Sequence, residues 1–306
     1  MTLKTTLSVL AICAAMPAVA QDACSTVTMS DVGWTDITTT TSATKQVLNA
    51  LGYETDVKIL SVPVTFASLE SDDVDVFLGN WMPAQAAAIG PYIESGEIEK
   101  VATNLTGTKY TLAVPAYTYE KGLKTYADIN TFKDDLDGKI YGIEPGNEGN
   151  GYLVSLTEKA DSGLEGMEVV ESSEQGMLAQ VRRLYDKQQD VVFLGWEPHP
   201  MNANFELKYL PGGEDFFGEE GVVDTVTREG YAAECPNVGK LLSNLAFTLP
   251  MENGIMGQIL DDGMDPDAAT LEWMKGNKDA VMAWVDGVTT VDGGDGAAAV
   301  SEAFGY

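Results

Sequence analysis

The chain has 306 residues, is 44% hydrophobic and carries a formal net charge of −29. That length accommodates two domains, and the composition is that of a globular protein, not a disordered one. So acidic a surface repels nucleic acid and anionic lipid, and a single histidine, His199, rules out a multi-histidine metal site within one chain.

Lys4 precedes an apolar stretch from Leu7 to Ala15, and Ala18-Val19-Ala20 follows with the small residues of a cleavage site. Residues 1–20 therefore read as a secretory signal peptide, with the mature chain beginning near Gln21 and working in the periplasm. A lipid-attachment reading of Leu10-Ala11-Ile12-Cys13 fits poorly, because isoleucine stands where a small residue is needed. Removal of the signal leaves Cys24 and Cys235. An even pair in an oxidising compartment favours a disulfide, the alternative being two buried thiols.

From there the pattern alternates. Val27 to Ser30 predicts a strand, Asp31 to Asp36 a turn-rich loop, and Thr38 to Leu51 a helix stopped by Gly52. Tyr53 to Leu60 reads as a strand, Val64 to Leu69 as a short helix, Val74 to Leu78 as a third strand, and Ala84 to Ser95 as a helix. This β-α-β-α order argues for a parallel sheet flanked by helices. Tyr110 to Pro115 predicts a strand that crosses into a second lobe. There Lys139 to Ile143 is a strand, Glu144 to Gly151 a glycine-rich loop, and Tyr152 to Lys159 a helix. Met167 to Glu171 and Val191 to Leu194 are further strands around a helix from Ser173 to Lys187. Phe205 to Leu210 returns toward the first lobe, and four helical segments follow between Val238 and Val285.

Two strands share one grammar. Phe77-Leu78-Gly79-Asn80-Trp81-Met82-Pro83 and Phe193-Leu194-Gly195-Trp196-Glu197-Pro198 each end an apolar run at a glycine and deliver a tryptophan to the carboxyl edge of a sheet. That edge is where open α/β sheets bind ligands. No Gly-x-Ser-x-Gly elbow accompanies His199, which reads as structural between two prolines. The acidic stretch from Asp261 to Asp267 has proline where a calcium loop needs glycine, and the glycine-rich loop lacks both phosphate-binding orders. No cofactor, no metal and no catalytic residue is expected.

The aromatic residues remain. Trp273 and Trp284 fall in helical patterns and suit core packing, whereas Trp34, Trp81, Tyr110 and Trp196 lie at strand ends or crossings. Converging rings present negative faces to a quaternary ammonium group. Asp36 can add charge, and Asn147 can bond a polar tail. The spacing is compatible both with convergence on one cleft and with scattered loop aromatics.

The segments Asp31 to Ile37, Phe77 to Pro83, Tyr141 to Asn147, Glu171 to Gln180 and Phe193 to Asn202 closely resemble the choline-binding periplasmic proteins of bacterial ABC importers, within the wider glycine betaine/choline-binding family. The resemblance implies an α/β two-lobed periplasmic binding protein fold, each lobe a mostly parallel sheet flanked by helices, with ligand in the inter-lobe cleft. It implies a monomer that captures an onium compound and delivers it to a membrane permease. Trp34, Trp81, Tyr110 and Trp196 match the family's aromatic box, Asp36 its acidic partner and Asn147 the residue at the ligand's hydroxyl end. Cys24 and Cys235 match its disulfide. The expected division is 21–110 with 206–306 as one lobe and 111–205 as the other, hinged near Tyr110 and Phe205. A hydroxyl tail suits Asp36 and Asn147, while a carboxylate tail would be repelled by Asp36. Choline is therefore expected over glycine betaine or dimethylsulfoniopropionate, and a binding protein over an exported enzyme acting on such a compound.

Overall fold

The computed structural model describes residues 24–306. The signal-peptide and lipid-attachment readings fall on earlier residues and lie outside it. Strands β1 (Thr26–Asp31), β2 (Glu54–Ile59) and β3 (Val76–Met82) pair in parallel, with β1 central. Strands β5 (Lys139–Tyr141), β6 (Glu168–Val170) and β7 (Phe193–Glu197) form a second parallel set around β5. Helices separate successive strands in both sets, as parallel pairing requires of its crossover connections.

What joins the sets is antiparallel. Strand β4 (Ile98–Pro115) pairs along its first half with β9 (Gly221–Arg228), which in turn pairs with β3. Its second half pairs with β7 and with β8 (Leu207–Tyr209). One strand thus belongs to both sheets of a two-lobed α/β protein. Register shifts between Lys100 and Ala102, Thr103 and Leu105, and Thr106 and Thr108 interrupt its first half. Such bulges add local twist and let a strand change direction. They also break the two-residue alternation, so only Tyr110 to Pro115 is recognisable as a strand from sequence.

Two expectations are corrected here. The predicted strands stop at Gly79 and near Gly195, yet β3 and β7 run on through Trp81 and Trp196. Proline ends them instead: Pro83 and Pro198 follow directly, each after a cis peptide bond, and neither has an N–H to offer a neighbouring strand. The segment Phe205 to Leu210 does not cross back, because Ala113↔Tyr209 and Pro115↔Leu207 hold it on the second sheet. The return comes later, where Gly218, in a left-handed conformation, precedes β9.

The helix Thr35–Ala50 buries Ile37, Ala43, Val47 and Leu48 against the first sheet. Helices Leu249–Leu260 and Pro266–Gly276 pack on its outer side. Cys24 and Cys235 are disulfide-bonded with their Cα atoms 5.5 Å apart, fastening the start of β1 to the helix Pro236–Asn244. No helix among the described residues is long and apolar enough to cross a membrane.

Candidate ligand cage between the two sheets

The turn after β1 is shaped by Asp31. Its carboxylate accepts from the Gly33 N–H at 2.7 Å and from the Thr38 hydroxyl at 2.8 Å. Gly33 takes φ +79°, open to glycine without strain. Trp34 is thereby held at the N-cap of the helix Thr35–Ala50, extended at φ −83° and ψ 137°, and its carbonyl takes the first helical bond from Thr38. Asp36 follows in the first turn.

Trp81 arrives from β3, opposite Val223 of β9. Tyr110 and Trp196 face each other directly across the β4–β7 pair, so they share a sheet face. Their ring centroids are 6.4 Å apart at 86°, and Tyr110 lies 6.2 Å from Trp81 at 68°. Phe217 packs edge-on behind Tyr110 at 4.8 Å. Asn147 caps the helix Glu148–Thr157 by accepting from the Gly149 N–H at 2.9 Å, and the same oxygen accepts from the Tyr110 hydroxyl at 2.9 Å. A Cβ on Gly149 would sit 2.3 Å from that hydroxyl, so the position requires glycine.

All six residues singled out from sequence (Trp34, Asp36, Trp81, Tyr110, Asn147 and Trp196) line one pocket of about 370 Å³ including its mouth. Ala84, Gln85, Ile143 and Glu148 complete the wall. Sequence reasoning missed these four. Gln85 read as the second residue of a helix and Glu148 as part of a glycine-rich loop. The loop's carboxylates beside three glycines were the available signal.

The electrostatics are one-sided. Among the described residues no lysine, arginine or histidine lines the pocket, and Lys109 lies over the Tyr209 ring at 5.1 Å, outside the wall. Burial and the nearby Glu174 charge push Asp36 up to about 7, although the Trp81 indole donates to it at 2.9 Å. Burial also raises Glu148 to about 7, with Glu144 adding to the effect. Behind Asp36, burial holds the Glu252 carboxyl well above its ordinary range, with Asp36 contributing. Trp34 donates its indole N–H to Glu144 at 3.0 Å. Three polar atoms in the wall have no protein partner: Asp36 Oδ1 and Glu148 Oε1, both acceptors, and Gln85 Nε2, a donor. The Gln85 amide is oriented by its own oxygen, which accepts from the Trp81 N–H at 3.2 Å.

A cage of aromatic faces with an excess of carboxylates can stabilise a desolvated cation that offers no hydrogen bonds. Among the described residues, its wall pairs no nucleophile with a base, and no group of three or more histidine, cysteine or acidic side chains is placed to hold a metal ion. The family model for the substrate-binding domain of ABC-type glycine betaine transport systems matches residues 25–276. A solved ABC-transporter choline-binding protein in complex with choline is 58% identical, with a TM-score of 0.91 over 92% of this chain and 99% of that one. A choline-binding protein in an unliganded semi-closed conformation, also 58% identical, covers 93% of this chain and 100% of its own, with a TM-score of 0.85. Lactococcal OpuAC, closed on glycine betaine, is 23% identical over 85% of this chain and 98% of its own, with a TM-score of 0.76, and shares the fold. The arrangement of this chain is thus nearer the liganded choline-binding structure than the semi-closed one.

Proposed function

Because the chain belongs to the substrate-binding domain family of ABC-type glycine betaine transport systems, we propose that it captures choline and presents it to the membrane permease of an ABC importer. It is a binding protein, not an enzyme, and proteins of this class work outside the cytoplasmic membrane. We further place it in the periplasm, a reading supported by the signal-peptide pattern and by the Cys24–Cys235 disulfide.

The carrying observation is the wall itself: four aromatic residues from both lobes around a pocket whose ionisable neighbours, among the described residues, are acids and a tyrosine. Trp34, Trp81, Tyr110 and Trp196 surround the trimethylammonium group, each face contributing about 0.5–2 kcal/mol. Asp36 supplies the opposing charge. The hydroxyl of choline both donates and accepts, and it fits a wall that offers an unpartnered acceptor at Asp36 Oδ1 and an unpartnered donor at Gln85 Nε2. Asn147 has committed its oxygen to the helix cap and to Tyr110, leaving its Nδ2, 3.5 Å from Glu144, for the ligand. A carboxylate tail would meet Asp36 and Glu148 without a basic partner, which disfavours glycine betaine. Dimethylsulfoniopropionate carries the same difficulty.

The lobes follow the two sheets, with β4 and the segment after Phe217 as the crossings. One lobe brings Trp34, Asp36 and Trp81, the other Asn147 and Trp196, so the full set of contacts exists only in the closed form and ligand shifts the population toward it. Trp196→Ala tests the assignment. It should lose about tenfold to thirtyfold in choline affinity by calorimetry while keeping its circular dichroism, the upper part of what one ring face contributes. Retained affinity would place the cage elsewhere.

A further inference from the structure

The helix Thr35–Ala50 has no side-chain cap of its own, since Trp34 at the N-cap offers none. The first helical amide is nevertheless satisfied, from the opposite side of the cleft. The Thr35 N–H donates to Glu174 Oε2 at 2.9 Å, and the Thr35 hydroxyl donates to Glu174 Oε1 at 2.6 Å. Glu174 opens the helix Glu174–Tyr185 between β6 and β7, so it belongs to the second sheet's side, whereas Thr35 belongs to the first. His199 fixes it in place. Its Nδ1 accepts from the Met201 N–H at 2.9 Å, which leaves Nε2 to donate to Glu174 Oε1 at 3.1 Å. The Glu174 and His199 side chains are 2% and 1% exposed. The His199 ring in turn packs edge-on to Trp196 at 4.9 Å.

We propose that Glu174 is the closure latch of this protein: a positioning residue, held by His199, that caps the Thr35–Ala50 helix from the other lobe and so locks Trp34 into the cage. This deepens the ligand reading above and rests on it. A carboxylate at a helix N-terminus gains from the exposed amides and from the dipole together. In the open form both partners are solvated, and the helix lacks this cap. The adjacent donors Trp34 and Thr35 take Glu144 and Glu174 respectively, so a single movement of the second lobe seats two carboxylates on consecutive residues. The latch has an opposing force built in. Glu174 adds to the burial that raises Asp36, Asp31 and Glu144, because these acids are crowded on closing. A bound cation relieves that crowding, so the latch is engaged in part without ligand and more firmly when the cage is filled.

The test places spin labels on Ile59→Cys and Val154→Cys, both exposed and on opposite lobes. Inter-lobe distances are measured with and without choline, and choline dissociation is followed by stopped flow. Glu174→Ala should deplete the short, closed distance in both conditions and speed dissociation about tenfold to a hundredfold, as loss of hydrogen bonds to a buried charge does. Thr35→Ala should speed it about tenfold, Thr35→Ser should restore it, and the double variant should be no worse than Glu174→Ala alone. The threonine pair keeps the test decisive should Glu174→Ala fold poorly. An unchanged closed distance in Glu174→Ala, or equal dissociation in Thr35→Ala and Thr35→Ser, overturns the latch. A parent protein that ignores choline, while Glu174→Ala still empties the closed distance, removes the ligand assignment and keeps the latch.

Discussion

Strands β3 and β7 carry nearly the same sequence to the same pocket by different backbone routes. In β7 the glycine and tryptophan are adjacent, and the register with β4 is continuous from Lys109↔Glu197 to Ala113↔Phe193. In β3 an additional residue, Asn80, stands between Gly79 and Trp81, and the pairing with β9 shifts between Phe77 and Asn80. The additional residue is absorbed as a bulge, which preserves the direction of the ring beyond it. Both glycines are demanded by close approach. A Cβ on Gly79 would meet the Phe77 ring at 2.8 Å and Ile37 Cδ1 at 2.9 Å; one on Gly195 would meet Ala113 Cβ at 2.9 Å. The shared motif specifies a backbone that passes close to its neighbours and then turns a tryptophan into a cleft, and the bulge adjusts the register locally.

Inserting a residue between Gly195 and Trp196 breaks the comparison most severely. It gives β7 the spacing of β3 without the bulge that β3 forms against β9, turning Trp196 from the pocket, and choline affinity should fall by more than roughly a hundredfold in a titration, whereas deleting Asn80 removes that bulge and should leave Trp81 opposite Val223. The two tryptophans also differ in chemistry, because the Trp81 indole donates to Asp36. Trp81→Phe should therefore cost about 1.5–3 kcal/mol more binding free energy than Trp196→Phe, the worth of a hydrogen bond to a charged group. Equal losses by calorimetry would mean that the indole bond does not support the charge.

Gly79→Ala and Gly195→Ala should each destabilise by about 1–3 kcal/mol in urea unfolding, the usual cost of overpacking. Only the second should be rescued by Ala113→Gly, because its nearest obstacle is that methyl group. Failure of the rescue would locate the strain in the backbone instead.

The smallest effect is the pH response. Asp36 and Glu148 stand near 7 in the empty protein, and a bound cation favours their ionised forms. Choline affinity should hold above pH 7 and fall below it, by at most about tenfold per pH unit for each group. Folding stability without ligand runs the other way. A carboxyl raised above its unfolded value contributes most at low pH, and that contribution is lost as pH rises through about 7. The melting temperature of the empty protein should therefore drop between pH 5.5 and 8, and choline should raise it most at pH 8. A flat affinity profile would separate the carboxyls from the cation.

The parts legible in sequence are those written locally. Tryptophan beside proline at the end of an apolar strand has few packing explanations, so Trp81 and Trp196 announce themselves, and Asn147 is signalled by the glycines around it. Strand β9 and the first half of β4 escaped because bulges and buried threonines blur the alternation. Gln85, Glu148 and Glu174 escaped for another reason. The role of Glu174 comes from a partner distant in the chain, the Thr35–Glu174 bond spanning 139 residues, and Gln85 has the look of an ordinary helix-start residue, whereas for Glu148 the neighbouring glycines were the one local signal.

The central claim is that this cage recognises a quaternary ammonium group carrying a hydroxyl tail. Calorimetric titration of the mature protein with choline, glycine betaine and dimethylsulfoniopropionate in the same buffer at pH 8 tests it directly. Choline should bind at one site per chain, unconverted and most tightly of the three. Tighter binding of either carboxylate-tailed compound would contradict the reading of Asp36 and Gln85 as a hydroxyl site.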